Sequence, residues 1–467
     1  MKKIFALLFA ILMANHIFAQ TENYKTAIDQ FQTKYNAGKY DEIFSNFSIE
    51  MKQALPLEST KEFLTGLKSE AGKIENKEFT GYEQKTYATY KTRFEKAVLS
   101  VNISLNENNQ INGLFVKPYK ESAASETNTV NALSKYPKEI AQIIYLKSKD
   151  FPNNTQLSIA VIKNGKTNYY GIIKENDSIK PIENQSKVFE IGSITKVFTS
   201  TVLASLVEDK KIGLADPVNS YYPFTFKDNL NISFGSLANH TSGLPRLPGN
   251  LDLSNKSNPY KNYGSRELED YLKNTLKLEH QNSASYAYSN LGAGLLGYTL
   301  GLSQKTSFQE LLRKRIFDKY QMTDSFTNSQ NLGENLVKGL NANGETVPNW
   351  DFDALFGGGG ILSTTKDLAK FAAAQFNSEN KELTLTRTPT FDISEKMKIG
   401  LGWHILKSEN GQNLFWHNGG TAGYSSSMTV NTGNQTAVII LSNVSAFNPK
   451  MENIDALCFE LMREMNK

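Results

Sequence analysis

Apolar and polar residues alternate along Ala97-Val98-Leu99-Ser100-Val101-Asn102-Ile103, the two-residue period of a strand with one buried face. Two earlier stretches, Ala27 to Asn36 and Thr60 to Glu70, repeat their apolar residues at helical spacing instead. Helices followed by strands predict a small α+β domain over residues 22–120. From Lys120 to Ser134 the chain is rich in Glu, Ser, Ala, Thr and Asn and has no apolar period, so residues 121–134 read as a linker. A second domain, 135–467, begins with strands Leu157 to Lys163 and Thr167 to Ile173 around Asn164-Gly165, two residues that tolerate the positive φ of a tight hairpin turn. More strands recur at the far end: Gly402 to Leu406, Asn413 to His417, Ser425 to Val430 and Thr436 to Ser442. Between the two strand groups, from Thr195 to about Asn377, the patterns are mostly helical, and from Met451 a closing helix is predicted. The expected fold is therefore α+β. An antiparallel sheet is built from both ends of the second domain, flanked by helices, with a mostly helical region inserted.

Composition narrows the class. The 467 residues are 39% apolar and 11% aromatic, enough for two or three packed domains. A net charge of +4, with no dense Lys/Arg block, gives no footprint for nucleic acid. Lys2 and Lys3, the apolar run Ile4 to Met13 and the small Ala19 read as a signal peptide, residues 1–19, which predicts a periplasmic or secreted protein. No later run of 18 apolar residues occurs, so no transmembrane segment is expected after signal removal. Cys458 is the single cysteine, which forbids an internal disulfide; in its amphipathic setting it reads as a packed small hydrophobe. Histidines at 16, 240, 280, 404 and 417 show no ligand spacing, and neither metal nor cofactor is expected.

Three short segments carry candidate chemistry. Ser193-Ile194-Thr195-Lys196 opens the apolar helix Val197 to Val207, and residues three apart on a helix share a face, so the Lys196 amine can lie beside the Ser193 hydroxyl. That amine is a base only if burial and neighbours depress its pKa of ~10.4 by several units. A second copy, Ser363-Thr364-Thr365-Lys366, sits before the helix Asp367 to Phe376, where Ser363 suits an N-cap. Tyr288-Ser289-Asn290 precedes the helix Leu291 to Leu300; its phenol can shuttle a proton if a neighbouring cation lowers its pKa, and Asn290 can hold a substrate carbonyl. The similar Tyr260-Lys261-Asn262 reads as solvated loop. His417-Asn418-Gly419-Gly420 ends a strand, and the amides of Gly420 and Ser193 can form an oxyanion hole.

In this order the three segments resemble those of the class C β-lactamase and serine penicillin-recognising family, with its D-alanyl-D-alanine peptidase, D-aminopeptidase and esterase branches. The resemblance covers about 135–467 and is also carried by Phe189-Glu190-Ile191-Gly192, by His240-Thr241-Ser242-Gly243-Leu244-Pro245 and by Gly359-Gly360-Ile361-Leu362-Ser363-Thr364. It implies that Ser193 attacks, Lys196 and Tyr288 move protons, and Asn290 binds substrate together with the strand His417 to Gly420. It also implies that His240 stabilises a turn. The family's β-lactamases carry Lys-Thr-Gly where this chain has His417-Asn418-Gly419, and a histidine with a pKa of ~6.5 is largely neutral at pH 7. That departure points to a peptidase or esterase branch. The expected function is an exported serine hydrolase forming an acyl-enzyme on D-amino-acid peptides or related amides and esters, with a small-molecule or peptide substrate, cell-wall peptide included. The alternative is a penicillin-recognising sensor without efficient turnover. Specificity is assigned to the loops Pro245 to Arg266 and Asn328 to Trp350. In the first domain, the helix-then-sheet order with Tyr35-Asn36-Ala37-Gly38-Lys39-Tyr40-Asp41 resembles the cone-shaped nuclear-transport-factor-2-like class.

Overall fold

A computed structural model describes residues 22–466 except 84–86, 120–128, 253, 256–257, 281–284 and 409. The predicted signal segment and most of the predicted linker lie outside the described residues. The chain divides into two compact units, Met1–Ser125 and Glu126–Lys467.

In the first unit, helices at 22–36, Tyr40–Ser45, Ile49–Ala54 and Leu57–Ala71 precede a four-stranded antiparallel sheet, Ile74–Glu83, Tyr87–Phe94, Val98–Leu105 and Ile111–Pro118, paired in sequence order. The helical spacing of Tyr24, Ile28, Phe31 and Tyr35 puts one apolar stripe against Val101 and Ile103 of the sheet. Ser48 caps its helix by accepting from the Met51 amide at 3.1 Å. The opposite face of the third strand is not solvated as simple alternation suggests: Ser100 and Asn102 are buried too, and Asn102 Oδ1 accepts from the Thr89 hydroxyl at 2.8 Å.

The second unit is built on one sheet whose middle joins the two chain ends. Gln156–Lys163 pairs antiparallel with Thr436–Ser442, which pairs with Ser425–Asn431, then Asn413–Gly420 and His404–Lys407. Alternate residues face two separate cores. Ala160, Ile162, Ala437 and Ile439 face the inserted helical region, including Val197 and Phe198. Ile159, Val161, Val438 and Ile440 face the helices Lys138–Ser148 and Glu452–Met465, where Cys458 is fully buried. Coverage on both faces explains why these strands read as continuous apolar runs. The hairpin at Asn164 and Gly165 has φ of 53° and 73°, as the turn chemistry requires.

Three details differ from the sequence reading. The end of the expected linker is part of the sheet: Val130–Asn131 pairs parallel with Ser178–Ile182, and Leu133 is buried behind it. A two-residue strand has no period to detect. The predicted strand Thr167 to Ile173 is two, Lys166–Tyr169 and Gly171–Glu175, which pair with different parts of the same neighbour. The cap of the helix Thr365–Ala374 is Thr364, accepting from the Asp367 amide at 3.1 Å, whereas Ser363 belongs to the strand Leu362–Ser363 that pairs with Phe189–Glu190. Among the described residues no helix is long and apolar enough to cross a membrane.

Candidate active site

The pairing of Phe189–Glu190 with Leu362–Ser363 delivers the chain to a tight turn, Gly192–Ile194, from which the buried helix Thr195–Glu208 departs. Gly192 has φ of 51°, and a Cβ there would meet the Gly420 amide nitrogen at 2.5 Å. Only glycine allows the end of the strand Asn413–Gly420 to lie so close beside the Ser193 turn.

Lys196 is 2% exposed, and its Nζ has three contacts: Ser193 Oγ at 3.0 Å, Asn290 Oδ1 at 2.8 Å and the Gly358 carbonyl at 2.7 Å. Burial first, and then the Arg246 cation, hold the amine well below its ordinary pKa. An uncharged amine has two N–H donors and one lone pair. The two carbonyl oxygens take the donors, which leaves the lone pair for the Ser193 proton.

Tyr288 lies beside Ser193, whose hydroxyl favours the charged phenol, with its ring centroid 4.8 Å from Lys196 Nζ and 5.2 Å from Arg246 Cζ. Burial pushes the phenol up to about 12. This corrects the expectation of a phenol made acidic by a neighbouring cation. The Arg246 cation does lower the phenol, but burial outweighs it, so Tyr288 keeps its proton and can serve as an acid where Lys196 is a base. Ser289 fixes the segment: its hydroxyl donates to the Pro245 carbonyl at 2.6 Å and accepts from the Gly292 amide at 2.8 Å, while its amide donates to His240 Nδ1 at 3.2 Å. His240 thus ties the turn to the Tyr288 segment. Asn290 starts the helix Asn290–Ser303; its Nδ2 donates to the Tyr260 hydroxyl at 3.3 Å.

The strand Asn413–Gly420 divides its residues between two faces. His417, 1% exposed, turns inward with its ring 6.4 Å from that of Tyr288. Its Nδ1 lies 2.6 Å from the Asn418 carbonyl and donates to it, which leaves Nε2 as an acceptor. Burial, with His404 next to it, holds the imidazole well below its usual pKa and therefore neutral. Asn418 points the opposite way, where its Nδ2 donates to Asp455 Oδ2 at 2.7 Å on the closing helix. The expectation that the Asn418 side chain binds substrate is corrected: strand alternation turns it toward the other core. Gly420 reaches the cleft together with Ser193.

Above Ser193 the cleft is walled by Tyr260, Trp350 and Phe352. Tyr260 stacks on Phe352 with centroids 4.6 Å apart and meets Trp350 edge-on at 5.3 Å. It is 6% exposed, which overturns its reading as solvated loop; its partners lie some ninety residues downstream, beyond the reach of any local pattern. Arg246 and Phe352 were likewise invisible as site residues, although Arg246, Tyr260 and Trp350 fall in the two loops assigned to specificity.

Residues 153–460 match the family described as β-lactamase. The chain belongs to the β-lactamase family. Among its relatives, protein flp of Staphylococcus aureus strain MRSA252 is 24% identical over 318 residues, 63% of this chain and 60% of that protein. The match thus spans about 60% of the length of that staphylococcal relative. A β-lactamase of Pseudomonas fluorescens is 28% identical over 264 residues, covering 53% of this chain and 69% of the relative. The β-lactamase fold is matched by the crystal structure of a β-lactamase/D-alanine carboxypeptidase from Pseudomonas syringae, with a TM-score of 0.59 at 20% identity, over 70% of this chain and 98% of that one. A class C β-lactamase structure gives a TM-score of 0.59 at 21% identity, over 70% and 95%. Residues 29–114 match a family described as a protein of unknown function, DUF3887, which is nuclear-transport-factor-2-like.

Proposed function

We propose that this β-lactamase-family protein is an exported serine hydrolase that acts through an acyl-enzyme on D-amino-acid peptides or related amides and esters. The observation that carries the reading is the buried Lys196 amine, held well below its ordinary pKa, with Nζ 3.0 Å from Ser193 Oγ and its other two contacts, Asn290 Oδ1 and the Gly358 carbonyl, able to take two N–H donors. As Ser193 Oγ bonds to the substrate carbonyl carbon, its proton passes to Lys196. The carbonyl electron pair moves onto oxygen, where the Ser193 and Gly420 amides stabilise it. When that pair returns, the bond to the leaving group breaks, Tyr288 supplies the leaving group's proton, and the Lys196 ammonium returns a proton to Tyr288. Water then attacks the acyl carbon as its proton passes by way of Tyr288 to Lys196, and when the intermediate collapses the bond to Ser193 Oγ breaks and the Lys196 ammonium gives that oxygen its proton. The neutral His417 offers no fixed charge for a β-lactam carboxylate, which favours peptidase or esterase chemistry. The sensor alternative requires deacylation to fail, and a free amine able to activate water argues against it. Export is supported by Lys2, Lys3 and the apolar run Ile4 to Met13.

The test is turnover of p-nitrophenyl esters, a D-alanyl-D-alanine peptide and nitrocefin by wild type and Ser193→Ala. Ester or D-peptide hydrolysis that vanishes in Ser193→Ala is the expected result; hydrolysis that survives in the variant sinks the assignment. The base also sets a pH limb. Because the Arg246 cation helps hold Lys196 down, Arg246→Gln raises the amine's pKa, fewer molecules carry a free base at a given pH, and the acidic limb of kcat/KM moves to higher pH. A limb that stays put or moves to lower pH contradicts the role given to Lys196.

A further inference from the structure

Arg246 stands beside the reaction centre with no acid to neutralise it. The backbone that carries it is clamped to the Tyr288 segment: the Arg246 carbonyl accepts from the Asn290 and Leu291 amides at 3.0 and 3.2 Å, and the Pro245 carbonyl accepts from the Ser289 hydroxyl at 2.6 Å. From this fixed base the side chain runs over the Tyr288 ring, with Cζ 5.2 Å from its centroid, and the residue is exposed to solvent. An aromatic face steers a guanidinium without using up its N–H donors. The Arg246 guanidinium makes no hydrogen bond or ion pair with any described residue. Arg313 and Arg315, by contrast, are paired, the first with Glu310 and Asp318 and the second with Asp209.

We propose that Arg246 is a specificity-determining residue that binds a carboxylate on the substrate, so that the enzyme prefers anionic peptides or esters to neutral ones. The inference rests on the hydrolase reading and narrows its substrate class. Burial holds Lys196, His240 and His417 well below their ordinary pKa, whereas a guanidinium stays charged in proteins, so the positive charge that persists at this centre is that of Arg246. Its planar fork of donors takes a carboxylate through two parallel hydrogen bonds. The reach fits a group near the scissile bond. Arg246 Cζ and Lys196 Nζ lie 5.2 Å and 4.8 Å from the same ring centroid, hence within about 10 Å of each other, and Nζ is 3.0 Å from Ser193 Oγ. One to three residues of extended chain, at about 3.3–3.6 Å each, cover that span. His417 supplies no such charge from its strand; Arg246 supplies it from the loop beside Tyr288.

The experiment compares substrates matched except for charge. Mono-p-nitrophenyl adipate against p-nitrophenyl hexanoate places the carboxylate on the acyl part, and N-acetyl-D-alanyl-D-alanine against its C-terminal amide places it on the leaving group. Wild type is expected to favour the charged member of at least one pair in kcat/KM by about tenfold, the worth of a charge-assisted hydrogen bond. Which pair responds tells the acyl part from the leaving group. In Arg246→Gln the preference disappears, while Arg246→Lys, a point charge without the fork, keeps an intermediate preference. Arg246→Gln also moves the limb set by Lys196, but that shift acts on both members of a pair alike, so their ratio reports the carboxylate contact alone. An arginine with a merely structural role would lower both members and leave the ratio unchanged. Calorimetric binding to Ser193→Ala reads the same contact without turnover: the acid of the responding pair binds more tightly than its neutral partner, and the difference is lost in Ser193→Ala/Arg246→Gln. That binding difference with no turnover of any substrate by wild type sinks the hydrolase reading and leaves Arg246 as a carboxylate site. Equal handling of acid and neutral member in both pairs, or a preference that survives Arg246→Gln, overturns the proposal.

Discussion

Lys196→Met lowers kcat/KM for an ester substrate by about 10³-fold or more, the range in which loss of a general base that acts as a unit with its nucleophile falls. Methionine has similar length and apolar bulk, so the surrounding helix keeps its packing, but it offers no lone pair to Ser193 and no protons to Asn290 Oδ1 or the Gly358 carbonyl. Lys196→Arg separates chemistry from packing. Its guanidinium can still donate to both carbonyls, yet it remains charged in a protein and cannot accept a proton. Both variants are therefore expected to be inactive, with near-wild-type circular dichroism. Arginine restoring a tenth or more of the activity would mean that Lys196 serves as a hydrogen-bonding strut.

The second large effect belongs to a residue with no side chain. A Cβ on Gly419 would press on the Ile191 carbonyl and come within 2.6 Å of Ser426 Oγ and 2.8 Å of the Ser193 amide nitrogen. Backbone cannot yield as a flexible side chain does, and Ser426 is itself held by donating to the Ile191 carbonyl at 2.8 Å. In Gly419→Ala the strand must back away from the nucleophile's turn, taking the Gly420 amide with it. Losing one oxyanion donor costs about 10²–10³ in kcat, and forcing a methyl into packed space costs about 1–3 kcal/mol of stability. Steady-state kinetics and thermal melts read the two separately. A variant with full kcat would place the oxyanion donor elsewhere.

Much of this arrangement was legible because it is local. Ser193 and Lys196 are one helical turn apart, Asn164-Gly165 states its own turn type, and strands at both chain ends are separated by a long helical stretch that must be inserted. What escaped depends on register and distance. Whether Asn418 or His417 faces the cleft is fixed by pairing with Ser425–Asn431 and by Asp455 on the closing helix, and one residue of slip would exchange them. Tyr260 becomes part of the wall only because Phe352 stacks on it. The Tyr288 pKa was misread because the cation expected beside it is there, Arg246, and lowers it, but burial of the phenol, which sequence does not show, outweighs that pull.

The most direct test is to quench the reaction with a slowly hydrolysed ester or penicillin in acid and locate the added acyl mass by peptide mapping. The mass is expected on the peptide that contains Ser193 and absent in Ser193→Ala. An adduct on a different residue, or turnover by Ser193→Ala at the wild-type rate, would contradict acylation of Ser193.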